Sequence, residues 1–145
     1  MLANLPTHWQ FWALLAALFA ALTAILAKVG VADVNANFAT FLRTTVVLVA
    51  LAGLLAWTGQ YENLSVIPPK AGLFLVLSGL ATGASWLCYF NALKIGKASQ
   101  VAPVDKLSVV LVAVFAAVFL GEQLSISAWG GVGLIFAGAV VLAVS

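Results

Sequence analysis

The sequence is a series of long apolar runs separated by short polar breaks. The runs are each close to the ~20 residues that a helix needs to cross about 30 Å of hydrocarbon. Stretches such as residues 11–26 and 107–120 are apolar on all faces, whereas a barrel strand alternates at every second residue. The pattern therefore predicts an all-α integral membrane protein, a bundle of five transmembrane helices in one domain over residues 1–145. The predicted spans are residues 9–28, 38–57, 71–93, 102–120 and 127–144.

The first run has the position of a secretion signal but not its pattern. No basic segment precedes it, its apolar stretch exceeds the usual 7–15 residues, and four more runs follow. We therefore expect a permanent helix. Four of the five tryptophans lie near span ends, where the ring prefers the headgroup layer, but Trp86 lies well inside the third span.

Composition supports lipid as the solvent of this chain. Hydrophobic residues make up 65% of the sequence and charged residues 7%, with six basic and four acidic side chains. Such a chain cannot build a water-facing surface, which excludes a soluble enzyme, a disordered regulator and a nucleic-acid partner. With one histidine and the single Cys88, the sequence predicts no disulfide, no metal site, no cofactor and no nucleophile–base pair.

Span length places several charges at or inside the membrane boundary. The uncharged part of the fourth span, residues 107–121, reaches only about 22 Å at 1.5 Å per residue. The helix must therefore extend back through Lys106 and Asp105 toward Pro103, which the first turn of a helix tolerates. By the same argument Arg43 lies within the second span, and Lys28 closes the first.

Each of these charges has a structural and a functional interpretation. Lys28 and Arg43 have long stems that can carry the charge to the headgroups. Asp105, on one helical face with Ser108, is either a cap of its own helix N-terminus or part of a charged or proton-carrying site. Because neighbours on a helix point apart, we expect no pair between Asp105 and Lys106. Charges inside a membrane normally face a bundle interior or a water-filled cavity.

Two further patterns suggest contacts between helices or with a ligand. Trp86, Tyr89, Phe90 and Asn91 form an aromatic and polar patch that belongs either to the core or to a substrate path. Small residues at four-residue spacing predict close helix packing. These packing positions are Gly79 with Gly83, and Gly133 with Ala137.

Several segments together resemble the EamA domain of the drug/metabolite transporter superfamily, in its short, five-span bacterial and archaeal branch. The resemblance extends from about Trp9 to Val144. Its segments are residues 24–30 (AILAKVG), 39–48 (ATFLRTTVVL), 78–90 (SGLATGASWLCYF), 101–110 (VAPVDKLSVV), 119–124 (FLGEQL) and 130–138 (GGVGLIFAG).

The resemblance implies an exporter or exchanger of small metabolites. Longer relatives carry ten spans as two inverted halves with the site between them, and this sequence has one half. We therefore expect a dimer, either an antiparallel homodimer or a pair with a related chain. The count of basic residues beside the spans favours an N-out/C-in orientation in the cytoplasmic membrane.

The leading hypothesis is a secondary transporter of a small organic substrate, working by alternating access. A cavity lined by the first, third and fourth spans is expected to hold the substrate or coupling residues. The alternatives are a non-transporting accessory subunit and a component of a lipid-linked-sugar flippase. The expected substrate or coupling residues are Lys28, Arg43, Trp86, Tyr89, Asp105, Lys106 and Ser108.

Overall fold

The computed structural model describes residues 8–144, apart from the side chain of Leu64, so residues 1–7 and 145 of the predicted domain lie outside the described part. Within it the chain forms six α-helices. A short 3₁₀ turn, Leu64–Val66, precedes α3, and a π-helical turn, Ala116–Leu120, follows α5. The helices are α1 (Trp9–Gly30), α2 (Ala36–Thr58), α3 (Pro69–Ile95), α4 (Ala98–Asp105), α5 (Leu107–Phe115) and α6 (Ile126–Val144).

The structure has the five long apolar helices that the predicted fold class requires, and each is longer than the apolar run that predicted it. Helices α4 and α5 and the π-helical turn follow one another as a fourth span, Ala98–Leu120, of 23 residues. All five spans are long and apolar enough to cross a membrane. The fourth span begins four residues earlier than expected, so only Gly96 and Lys97 separate it from α3.

Local sequence accounts for most helix ends. The Asn35 side chain accepts hydrogen bonds from the N–H groups of Asn37 and Phe38 and so caps α2. Pro69 opens α3, at a position where a missing N–H has no consequence. Gly59 and Gly121, both at φ +67°, end α2 and the fourth span in the left-handed conformation that glycine adopts readily.

Hydroxyl groups inside the spans are satisfied by their own helices. Thr40, Thr44 and Thr45 in α2 and Thr82 in α3 each donate to the carbonyl oxygen four residues earlier. This arrangement removes the need for water, which the hydrocarbon layer does not supply.

The chain divides into two compact units. One comprises residues 30–95, in which α2 packs against α3 and Ala36, Thr40, Phe90 and Leu93 are buried. The other comprises, of the described residues, 8–29 and 96–144, and in it α4 and α5 both pack on α6. Small side chains are buried in this second unit, among them Ala113, Ala116 and Ala139.

Most large apolar side chains lie on the outside of the chain. Leu18 is 56% exposed, Leu80 67% and Leu134 76%. A soluble bundle buries such residues, whereas a membrane bundle presents them to lipid. The predicted fold class, an all-α membrane bundle, is therefore confirmed.

The predicted packing positions have no close neighbours. A Cβ atom placed on Gly79, Gly83 or Gly133 would meet no atom of its own unit within 4 Å, and Ala137 is exposed. These helix faces do not pack tightly within their own units. That they form contacts outside those units stays a prediction.

Candidate functional site

The most distinctive charged group of the α2–α3 unit is Arg43, which lies against aromatic rings of α3. Its guanidinium carbon is 4.1 Å from the centroid of the Trp86 ring and 5.6 Å from that of Phe90. Both distances are within the ~6 Å over which a cation is attracted to a ring face. Among residues 8–144, Arg43 forms neither a hydrogen bond nor an ion pair within its unit.

Helix geometry places this group deep in the second span. Arg43 is the eighth residue of α2, about 10 Å from the start of the helix at 1.5 Å per residue. Trp86 and Phe90 lie four residues apart in α3 and therefore on one face of it. Phe90 is buried, whereas Arg43 and Trp86 are half-buried, so the cluster is partly accessible.

Two polar contacts join the end of α3 to the beginning of α2 and to the residues just before α2. The Asn91 amide donates 2.9 Å to the Asn37 side-chain oxygen, and Lys94 donates to the Val34 carbonyl. Asn37 precedes Arg43 by six residues and Asn91 follows Trp86 by five. In two helices that run in opposite directions, the amide pair therefore sets the register that brings Arg43 to Trp86.

Tyr89 belongs to the same cluster through its neighbour. Its ring centroid lies 6.5 Å from that of Phe90 in an edge-on arrangement.

In the other unit, Lys28 has a well-defined partner. Its ammonium group donates a 2.8 Å hydrogen bond to the carbonyl oxygen of Gly96. The contact ties the last turn of α1 to the link before α4. The Lys28 side chain therefore has a structural contact within its own unit.

The expectation that Asp105 and Lys106 do not pair is wrong. The Lys106 ammonium lies 3.3 Å from a carboxylate oxygen of Asp105, and both side chains are partly exposed. The expectation assumed an unbroken helix, but α4 ends at Asp105 and α5 begins at Leu107. The break at Lys106 lets two adjacent side chains turn toward each other.

The helix start also excludes a capping role for Asp105. Lys97 is the N-cap residue of α4, and Asp105 is the eighth residue of that helix. Pro103 correspondingly lies inside α4 instead of in the first turn. Since proline has no N–H and crowds the turn that precedes it, Pro103 weakens α4 just before the interruption at Lys106.

The structure thus divides the expected site residues between the units. Arg43, Trp86 and Tyr89 form one cluster. Lys28, Asp105, Lys106 and Ser108 belong to the other unit, in which Asp105 and Lys106 are paired. Ser108 lies in the first turn of α5 and is exposed.

Sequence reasoning missed two contributions to the α2–α3 cluster. The stacking of Arg43 on Trp86 depends on which faces of two helices meet, and a single sequence does not reveal it. Asn37 lies in no sequence pattern that indicates a contact, although Asn91 belongs to the aromatic and polar patch. Across residues 8–144 no group of three His, Cys, Asp or Glu side chains is arranged to hold a metal ion.

Comparison with known proteins gives a consistent result. Residues 7–144 match the EamA-like transporter family. A curated relative from Sinorhizobium sp., named "Uncharacterized transporter in cobO 3′ region", is 61% identical over 136 residues, which are 94% of this chain and 96% of the relative. The chain has no match among solved structures. Five apolar spans and a family match over nearly the whole sequence lead to one conclusion: the chain is a multi-pass membrane protein that belongs to the EamA-like transporter family.

Proposed function

We propose that this protein is a secondary transporter that moves a small organic solute across the cytoplasmic membrane by alternating access. The observation that carries the proposal is Arg43, a permanent cation inside a membrane span with no carboxylate partner in its unit. A charge in such a position is costly in hydrocarbon and normally faces a cavity or a substrate path. Membership of a transporter family supports the same function.

The second group of charges fits a coupling role. Asp105 and Lys106 occupy the interruption of the fourth span, eight or nine residues from its start. A carboxylate and an ammonium group that are partly exposed at a helix break are accessible to a charged solute, which would compete for either partner. Asp105, the acidic member of this pair, is therefore the coupling residue in this proposal.

Flux measurements in proteoliposomes test the proposal. Purified protein is reconstituted and assayed with a panel of labelled amino acids, sugars, carboxylates and cationic dyes. We expect flux of at least one solute above that of protein-free liposomes, and a drop of tenfold or more in the double variant Arg43→Gln/Asp105→Asn. Lys70→Gln, which removes an exposed cation at the start of α3, is the matched control and should retain full flux.

Two outcomes contradict the proposal in different ways. Unchanged flux in the double variant contradicts the assignment of Arg43 and Asp105 to the site but is compatible with a transport function. No flux for any solute, together with no ligand that raises the thermal stability of the protein, favours the accessory-subunit alternative instead, because any ligand of the folded state stabilises it.

We further propose that the working unit is a dimer, with N-out/C-in as the favoured orientation. Ten-span transporters of this design place their site between two repeats, and five spans supply one repeat. Lys28 and Lys94 lie in the last turns of α1 and α3, and Lys97 precedes α4. If successive spans cross the membrane in alternating directions, these three cations lie on one side, which favours that side as cytoplasmic.

Cysteine labelling distinguishes the arrangements. In a Cys88→Ser background, Gln60→Cys and Lys97→Cys report on opposite sides of the membrane. An impermeant reagent should label only Gln60→Cys if all copies are N-out/C-in. Equal labelling of both variants shows dual insertion and supports an antiparallel pair, and labelling of Lys97→Cys alone overturns the orientation.

A further inference from the structure

The cluster around Arg43 also indicates the charge of the transported solute. This inference rests on the proposed transport function. Aromatic residues in a membrane span suit a cationic or apolar solute, whereas a half-buried cation suits an anion. The sequence alone leaves that choice open. The contact between Arg43 and Trp86 decides it.

One face of the Trp86 ring is already occupied. The guanidinium carbon of Arg43 lies 4.1 Å from the centroid of that ring and 5.6 Å from the centroid of the Phe90 ring. A cationic solute that approached this ring face would have to displace the guanidinium group and would meet its like charge in a medium of low dielectric constant. The cluster is therefore unsuited to bind a cation.

The hydrogen-bonding capacity of Arg43 remains available. Contact with a ring face uses the charge of a guanidinium group, whereas its five N–H donors point outward in the plane of the group. Among residues 8–144 no acceptor in the unit takes a hydrogen bond from them. A planar fork of donors in a partly desolvated position matches the two oxygens of a carboxylate.

The number of charges indicates a monoanion. The other cations of residues 30–95 are Lys94, which donates to the Val34 carbonyl, and Lys70, which lies 16 residues before Trp86 along α3. That separation corresponds to about 24 Å of helix. One guanidinium group balances one negative charge, whereas a phosphate dianion needs a second cation.

We propose that Arg43, held by Trp86 and Phe90, binds the carboxylate group of a small organic monoanion, and that such monocarboxylates are the substrate class of this transporter. Trp86 and Phe90 position the guanidinium group and supply apolar surface for the body of the solute. The Asn37–Asn91 pair keeps the two helices in the register that the contact requires.

Binding in detergent tests this assignment without any need for transport. The probes are benzoate, lactate and N-acetylglycine, each paired with its neutral amide, and benzylammonium as a cation of similar size. Affinity is measured by isothermal titration and by the thermal shift of the purified full chain. We expect at least one carboxylate to bind the wild type tenfold or more tightly than its amide, and benzylammonium to bind more weakly than benzoate.

Variants connect that affinity to the cluster. Arg43→Gln should weaken carboxylate binding at least tenfold, whereas Lys70→Gln, with the same loss of charge, should bind as the wild type does. Trp86→Phe should remove the change in tryptophan fluorescence that accompanies binding. Equal affinity in Arg43→Gln and the wild type overturns the assignment.

The wild-type results are decisive even where a variant does not fold. Absence of binding by all three carboxylates, or tighter binding of benzylammonium than of benzoate, overturns the inference. If the protein binds no carboxylate but still transports a cation or a neutral solute in the flux assay, the proposed transport function is supported and only the proposed substrate class is wrong. If carboxylates bind but no solute is transported, the binding site is supported and the proposed transport function is wrong.

Discussion

The Lys28 ammonium group and the Gly96 carbonyl are joined by a 2.8 Å hydrogen bond, although 68 positions separate the two residues in sequence. Lys28 lies in the last turn of α1, where the negative end of the helix dipole also favours a cation. Gly96 belongs to the two-residue link before α4. The bond therefore fastens the end of the first span to the beginning of the fourth.

Replacement of Lys28 by methionine should lower the free energy of unfolding. The substitution keeps most of the length of the side chain but removes the donor, and we expect a loss of about 1 kcal/mol. Denaturant titration in detergent, followed by circular dichroism, measures it. Lys97→Met is the matched control, because Lys97 is exposed and its side chain does not cap α4. Equal losses in both variants contradict the structural role of Lys28.

The amide pair between α2 and α3 should show measurable coupling. A double-mutant cycle with Asn37→Ala, Asn91→Ala and the double variant isolates the contact, and we expect a coupling free energy of about 0.6 kcal/mol. Asn91→Ala should be the more costly single change, since Asn91 also donates to the Leu87 carbonyl of its own helix. Strict additivity of the two changes would show that the pair does not hold the helices in register.

Neutralisation of Asp105 should leave stability almost unchanged. Its pair with Lys106 joins adjacent, partly exposed residues, and such pairs contribute at most about 1 kcal/mol. Asp105→Asn should therefore unfold within that margin of the wild type in the same titration. A loss several times larger shows a structural role, whereas unchanged stability allows any loss of flux to be assigned to function.

Two glycines should respond in opposite ways to replacement by alanine. Gly121 ends the fourth span at φ +67°, where a Cβ atom is strained, so Gly121→Ala should cost about 1 kcal/mol or more. Gly130 lies in the first turns of α6 with open space around it, and Gly130→Ala should be neutral or stabilising by up to about 1 kcal/mol. Thermal unfolding of the two variants checks the difference, and the same sign for both contradicts it.

Helix content and membrane character followed from the sequence because both depend on local properties. A run of about 20 apolar residues has no alternative in lipid to a helix that satisfies its own backbone. The length argument that brought Lys106 and Asp105 into the fourth span was correct for the same reason. The length argument placed the helix start four residues too late and therefore put Pro103 in the first turn, because helix boundaries depend on turns that hydropathy does not report.

The partners of the charged residues depended on tertiary structure. Nothing in the spacing along α2 and α3 reveals that Arg43 meets the Trp86 ring, since that contact depends on the rotation and register of two packed helices. The Lys28 bond to Gly96 and the Asn37–Asn91 pair likewise join distant positions. The sequence by itself determined which groups must enter the membrane, because length and hydropathy are properties of one segment. Only the tertiary structure decided which aromatic rings and carbonyl groups those side chains contact, because a contact depends on how two segments pack together.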